Sequence, residues 1–183
     1  MNLLGKFLIA MPQMTDPNFE GSVVYIFHQN EKGTSGVVIN RPTNIAFNEV
    51  LDKFGHQPIF EDVPIFWGGP VQSEQGIIIH TNEKTWETTL PIERNLCYSI
   101  SADLLESVSK GEGPKKFLVT LGYAGWEKGQ LESEISNDCW LVGNFRSRIL
   151  FDLAPEKRYR AALSALGLDP SIFIATEGTV GHA

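Results

Sequence analysis

Apolar residues fall in short blocks along this chain, and most blocks are continuous rather than alternating. Ser22–Phe27 (SVVYIF) and Gly36–Ile39 (GVVI) are rich in β-branched and aromatic residues, which predicts strands covered on both faces. The stretch between them, His28–Gly33, carries Asn, Lys and Gly, so the pair predicts a hairpin. Leu3–Ala10 predicts a first strand or extended arm. Pro12, Asp16, Pro17 and Asn18 then mark a loop over Met11–Phe19. Further strands are predicted at Val63–Trp67, Gly76–His80, Leu96–Ile100, Lys115–Leu121, Cys139–Val142 and Ile149–Phe151. Pro42 has no N–H for a ladder, so the sheet should stop or fray there.

Elsewhere the apolar period changes to that of a helix. Phe47, Val50, Leu51 and Phe54 recur at i, i+3, i+4 and i+7 and define one buried face. Thr43 or Asn44 is placed to cap that helix and Gly55 to stop it. Ser101 is placed to cap a second helix, with Leu104, Leu105 and Val108 inward and Gly111 after it. Gly129–Asn137 predicts a short third helix. Pro155 opens a fourth, striped by Tyr159, Ala162, Leu163 and Leu166 and ended by Gly167. About eight short strands and four helices interleaved in this way predict an α+β fold, or α/β with a mixed sheet. The early hairpin argues against a purely parallel sheet. The closing ATEGTVGHA reads as a loose tail.

The chain has 183 residues, 42% hydrophobic and 20% charged. That suits a single domain over 1–183 with one sizeable core, with or without a small subdomain. Its net charge of −7 opposes nucleic acid unless bases gather on one surface. The one local enrichment is Arg146, Arg148, Lys157, Arg158 and Arg160. On a helix, Lys157, Arg158 and Arg160 point in three directions, which predicts a solvated helix face rather than a basic stripe. Cys97 and Cys139 form no CxxC motif. The N-terminal MNLLGKFLIAMPQM is broken by Gly5, Lys6 and Pro12, unlike a signal peptide. No apolar run approaches a membrane span. These features predict a cytoplasmic protein with reduced thiols and no membrane association.

The stretch richest in candidate chemistry is Phe117–Phe145. In GYAGWEKGQLESEI, Gly122, Gly125 and Gly129 flank Trp126 and predict a strand-to-helix turn. Trp126 then either plugs the core edge or walls a pocket that stacks a flat ligand. Glu132 and Glu134 cannot serve as a catalytic pair on a helix, because residues two apart diverge. Gln130 and Glu134, four apart, share a face. Asn40 and Arg41 at a strand end are placed to hold an anion or to make a salt bridge. His28 and His80 sit at predicted strand ends and could meet in space; with His182 or a cysteine they would offer a metal site, but no ligand pair is fixed locally. Cys139, beside Trp140 and Asp138, reads as buried and inert. No GxSxG, GxGxxG or GxxxxGK[ST] motif occurs, and no cofactor is implied.

Ordered motifs run through nearly the whole chain: GKFLIAMPQM, SVVYIFH, SGVVINRP, WGGPV with His80 following, GYAGWEKGQLESEI with Trp140, RILFD and the final Gly181-His182-Ala183. Together they resemble the AlgH/YqgE family of small bacterial proteins. Phe27, Cys139 and Tyr159 depart from the family pattern. The resemblance implies a compact mixed-sheet α+β fold with a barrel-like sheet flanked by about four helices. It also brings a transcriptional-regulator label but no agreed biochemical activity. The residues themselves offer no helix-turn-helix and no basic stripe.

The leading functional expectation is a non-enzymatic cytoplasmic protein that acts through a protein partner, with an indirect regulatory role. The alternative is a small-molecule or nucleotide-binding protein, or an enzyme, with a site near Asn40, Arg41, Trp126, Gln130 and Glu134, since crevices form at strand ends. Direct DNA binding is the weakest expectation.

Overall fold

The computed structural model describes residues 1–174; His182 and the rest of the ATEGTVGHA tail lie outside them. The strands are β1 (Phe7–Ala10), β2 (Val23–Asn30), β3 (Gly33–Val38), β4 (Pro42–Ala46), β5 (Pro64–Trp67), β6 (Val71–Thr81), β7 (Leu90–Pro91), β8 (Leu96–Ser99), β9 (Phe117–Glu127) and β10 (Trp140–Gly143). The helices are α1 (Phe47–Lys53), α2 (Asp103–Ser109), α3 (Gln130–Ser136), α4 (Pro155–Ala165) and α5 (Pro170–Ile174), with a π-helical turn at Arg148–Asp152. The main sheet runs β10-β1-β2-β3-β9-β6-β8-β7, and β4 joins through β5, which pairs with β9. Every pairing is antiparallel except β5 with β9. This is the α+β, mixed-sheet architecture that the interleaved periods predict.

The continuous apolar blocks are explained by two cores. Phe7, Ile9, Val23, Tyr25 and Val37 enter one, together with Leu150, Ala162 and Leu163 from the π turn and α4. Leu8, Ala10, Val24, Ile26 and Val38 enter the other, with Trp126, Leu131 and Trp140. Alternate side chains of each strand therefore meet different partners, and neither face is left for water. The sheet also curls. β2 and β8 are four neighbours apart in strand order, yet the rings of Phe27 and Tyr98 lie 4.8 Å apart and Tyr98 Oη lies 3.3 Å from His28 Nδ1. The result is a half-barrel with α4 packed on its inner side.

The two glycine motifs meet at one crossing. β5 lies along one edge of β9 and β6 along the other, so the chain must pass over β9 between Trp67 and Val71. It does so backbone against backbone. A Cβ on Gly68 would stand 2.2 Å from the Gly122 carbonyl oxygen, and one on Gly69 2.1 Å from the Tyr123 carbonyl carbon. Gly68 N–H donates to Leu121 O, and Gly68 O accepts from Val38 N–H, both at 2.8 Å. At Gly122, where φ is +72°, β9 exchanges β5 for β3 as its neighbour.

Several local expectations are corrected. GYAGWE is not a turn; it is the second half of β9, paired with β3 from Ala124 onward. Pro42 opens β4 rather than ending the sheet, a position where its missing N–H is harmless. Neither Thr43 nor Asn44 caps α1; the remote Asp62 accepts the Asn48 N–H at 3.0 Å instead. Ser101 does not cap α2, because its hydroxyl is turned to Asp103. Phe54 follows the end of α1 and is exposed rather than buried. RILFD forms the π turn, not a strand, since Ile149 and Leu150 both enter the inner core there. Arg158 is buried, so the basic stretch around it is not a uniformly solvated face.

Candidate functional site

The five residues singled out from the sequence form two hydrogen-bonded groups joined by one loop. Asn40 Oδ1 accepts the Val23 N–H and its amide donates to Gly21 O, both at 2.9 Å. The Arg41 guanidinium donates to the carbonyls of Pro17, Asn18 and Glu20 at 3.1, 2.7 and 2.5 Å and lies 5.5 Å over the Trp67 ring. Burial lowers the Arg41 pKa, with Glu20 and Asp16 acting the other way. Asn40 and Arg41 thus clamp the Asp16–Gly21 loop.

That loop carries Phe19 onto a tryptophan pair. Phe19 stacks on Trp126 at 6.1 Å and meets Trp140 edge-on at 5.5 Å. Both indole N–H groups donate to one oxygen, Oε2 of Glu134, at 2.9 and 2.8 Å. Gln130 donates to the other oxygen at 3.0 Å and accepts the Glu127 N–H. Glu132 faces away, 3.9 Å from the N-terminal amine. Trp126 and Trp140 are 5% and 2% exposed, so this group forms a buried latch on α3. Trp140 and Phe19 complete it. The GYAGWEKGQLESEI motif with Trp140 signalled the former; Phe19 stood out only as a residue between GKFLIAMPQM and SVVYIFH, with no sign of its ring partners.

Among the described residues, His28 and His80 do not meet. His80 is buried, with Nδ1 2.9 Å from Thr81 O and Nε2 2.8 Å from Ser99 Oγ. Ser99 continues to Thr89 Oγ1 at 2.8 Å. Burial lowers the His80 pKa, opposed by the Thr81 hydrogen bond and Glu83. The Ser99–His80 pair has the spacing of a nucleophile and base, but both side chains are fully buried and out of reach of substrate. His28 lies instead at the end of β2, against Tyr98. Among the described residues no cluster of histidine, cysteine or acidic side chains is placed to hold a metal. Cys97 is buried, and burial raises its pKa. Cys139 is only half-buried, a correction to its buried reading. The two lie near opposite ends of the strand order.

Two surfaces remain. One is the mouth of the half-barrel, an open depression of about 210 Å³ walled by Phe27, Tyr98 and Tyr123 and rimmed by Gln72 and Gln75. The rim arises because Val71 pairs with Tyr123 but Gly76 pairs with Leu121, so the residues between arch out of the ladder. Gln72 takes a left-handed φ of +46° there.

The other is the lobe Pro42–Trp67, which contains β4, α1 and β5. Asn48 holds the 54–63 connection against α1 through two hydrogen bonds to the Ile59 backbone, at 3.1 and 2.8 Å. Ile45 (38%), Phe54 (56%) and Phe60 (fully) are nonetheless exposed. Glu49, Asp52, Glu61 and Asp62 are exposed in the same segment, with Lys53 the one exposed Lys or Arg of 42–64. None of these four carboxylates forms an ion pair among the described residues.

No helix of the described residues is long and apolar enough to cross a membrane. A UPF0301 protein of Paraburkholderia phymatum is 44% identical over 188 residues, covering 100% of this chain and 96% of its own. One from Thioalkalivibrio sulfidiphilus is 43% identical, covering 100% and 97%. The solution structure of the AlgH protein from Pseudomonas aeruginosa matches with a TM-score of 0.78 at 42% identity, over 98% of this chain and 95% of that one. A crystal structure from Corynebacterium diphtheriae, 21% identical, shares the fold at a TM-score of 0.66, over 81% and 78%. The AlgH-like family profile (DUF179) matches residues 7–171. With the half-barrel, the glycine crossing and the tryptophan latch in place, these matches establish that the chain belongs to the AlgH-like family.

Proposed function

We propose that the protein is a non-enzymatic cytoplasmic binding protein that docks a basic, amphipathic segment of a protein partner on the lobe Pro42–Trp67. The observation that carries this reading is the lobe's surface. Three large apolar side chains stand in water on a segment that also carries four exposed carboxylates that no ion pair neutralises. Isolated exposed apolar residues are ordinary, but several on one small excursion mark an interaction surface. The acidic rim selects a cationic partner and speeds its approach.

The side chains that looked most chemical support the same reading. Asn40, Arg41, Trp126, Gln130 and Glu134 hold one another and the Asp16–Gly21 loop. The basic stretch near α4 gives up Arg158 to the core, which weighs against a DNA surface.

Native mass spectrometry of the chain isolated from its own cells tests the proposal. The wild type is expected to carry a second polypeptide that leaves at high salt and is missing from the Phe54→Ser/Phe60→Ser variant. A bare wild-type mass, a small ligand or metal as the added mass, or an unchanged complex in the variant would overturn it.

A further inference from the structure

The mouth of the half-barrel contrasts with the rest of the molecule. Elsewhere buried side-chain polar atoms are all hydrogen-bonded among the described residues. At the mouth, His28, Ser35, Gln72, Gln75, Tyr98 and Tyr123 bring polar groups to the lining of one open depression.

Asn30 Oδ1 accepts the backbone N–H groups of Lys32 and Gly33 at 2.8 and 3.2 Å. Its amide nitrogen must therefore face His28 Nε2, 3.0 Å away. That makes Nε2 the acceptor and puts the ring proton on Nδ1, which donates to Tyr98 Oη at 3.3 Å. The Tyr98 hydroxyl hydrogen is then left available to a ligand in the mouth that Tyr98 lines. Burial raises the Tyr98 pKa, which keeps that hydroxyl a donor. On the rim, Gln75 Nε2 donates to Gly76 O at 3.0 Å, leaving Oε1 as an acceptor. The Ser35 and Tyr123 hydroxyls and the Gln72 amide make no hydrogen bond to other described residues. Donors and acceptors thus line one depression with aromatic walls, where the Phe27 ring is T-shaped to both Tyr98 and Tyr123.

The charge pattern narrows the ligand. The inner lining contains no Lys, Arg, Asp or Glu. The adjoining depression of about 340 Å³ shares His28, Ser35 and Tyr123 and adds Lys32 and Glu127, one charge of each sign. An anion would meet no dedicated cation, and a purely apolar molecule would leave the donors and acceptors without partners. The volume suits one ring system.

We propose that this mouth binds an uncharged, planar, hydrogen-bonding ring of the heterocyclic-amide class. The site is separate from the lobe, so either proposal can fail alone.

The test is amide chemical-shift titration of the full chain with nicotinamide and with uracil, against benzoate as an anionic ring of similar size. Both neutral probes should give saturable shifts at Phe27–His28, Ser35, Gln72–Gln75, Tyr98 and Tyr123, with dissociation constants on the order of 1 mM. Benzoate should bind at least about fivefold more weakly, since it lacks the donor edge and brings an unpaired charge. Tyr98→Phe keeps the ring and removes only the hydroxyl, and should weaken the neutral probes about fivefold or more. Gln75→Ala, on the exposed arch, should do the same without touching the core. Shifts that are absent, unsaturable or centred elsewhere would overturn the proposal. So would benzoate binding as well as the neutral rings, or unchanged affinity in both variants.

Discussion

The sharpest prediction concerns Glu134. Its Oε2 accepts the indole N–H groups of both Trp126 and Trp140, at 2.9 and 2.8 Å. Glu134→Ala leaves two buried donors with no acceptor. Each such loss costs about 1–3 kcal/mol, so the pair should cost about 4 kcal/mol, a large share of a typical total of about 5–15 kcal/mol. Glu134→Gln behaves differently because both indoles use the same oxygen. A glutamine carbonyl can occupy that position, and its amide then faces the exposed Gln130, which can turn aside. Only the charge assistance is lost, about 1 kcal/mol. Urea unfolding followed by tryptophan fluorescence reads both variants. With a slope of about 2 kcal/mol per molar, the midpoint should fall by about 2 M for Glu134→Ala and about 0.5 M for Glu134→Gln. Equal losses in the two variants, or a loss below about 0.5 M for Glu134→Ala, would refute the shared-oxygen latch.

Further outcomes follow from other buried contacts. Burial holds the His80 pKa below its usual 6.5, so the unfolded chain binds the proton more readily. The resulting stability is complete above pH 6.5 and declines as pH falls through 6.5 toward the lowered folded value; His80→Gln should remove that part of the urea-midpoint slope. Gly68→Ala would place a Cβ 2.2 Å from the Gly122 carbonyl oxygen and should cost about 3 kcal/mol or more, or prevent folding. Gly76→Ala meets nothing within 4 Å and should leave the midpoint within about 0.5 kcal/mol of wild type. Arg158 donates to Leu153 O and Ile39 O at 3.0 and 2.6 Å and lies 4.8 Å over Phe66. Burial lowers its pKa to about 10, opposed by Asp152, so it stays charged at neutral pH. Arg158→Lys cannot reproduce that fork and should lose about 2 kcal/mol in the same assay.

What could be read from the sequence was what neighbours in the chain decide. Continuous SVVYIF and GVVI gave strands buried on both sides, and helices stop at Gly55, Gly111 and Gly167, each in the left-handed conformation. Gln130 and Glu134 share a face because a helix puts them there. What was hidden depends on remote partners. Gly122 looked like a turn because local rules cannot show that Gly68 and Gly69 cross above it. RILFD has strand composition, yet two of its side chains are drawn into the inner core as a π turn. Phe54 keeps the helical stripe but falls one residue past the helix. Asn40 and Arg41 were legible as unusual; that they clamp a loop some twenty residues earlier was not. The mouth was least legible of all, since Tyr98 and His28 meet only through the curl of the sheet. Its one local trace is the polar Gln72–Gln75 break between Val71 and Gly76.

The proposed docking of a basic partner segment on the acidic, apolar lobe can be probed in living cells. Site-specific photo-crosslinking in living cells from position 60, with position 128 beyond β9 as the control, tests it most directly. A discrete adduct is expected at 60 and none at 128, with a Lys/Arg-rich amphipathic peptide as the captured segment and loss of the adduct in Glu49→Lys/Glu61→Lys. No discrete adduct at 60, an acidic captured peptide, or an adduct indifferent to the charge reversal would contradict it.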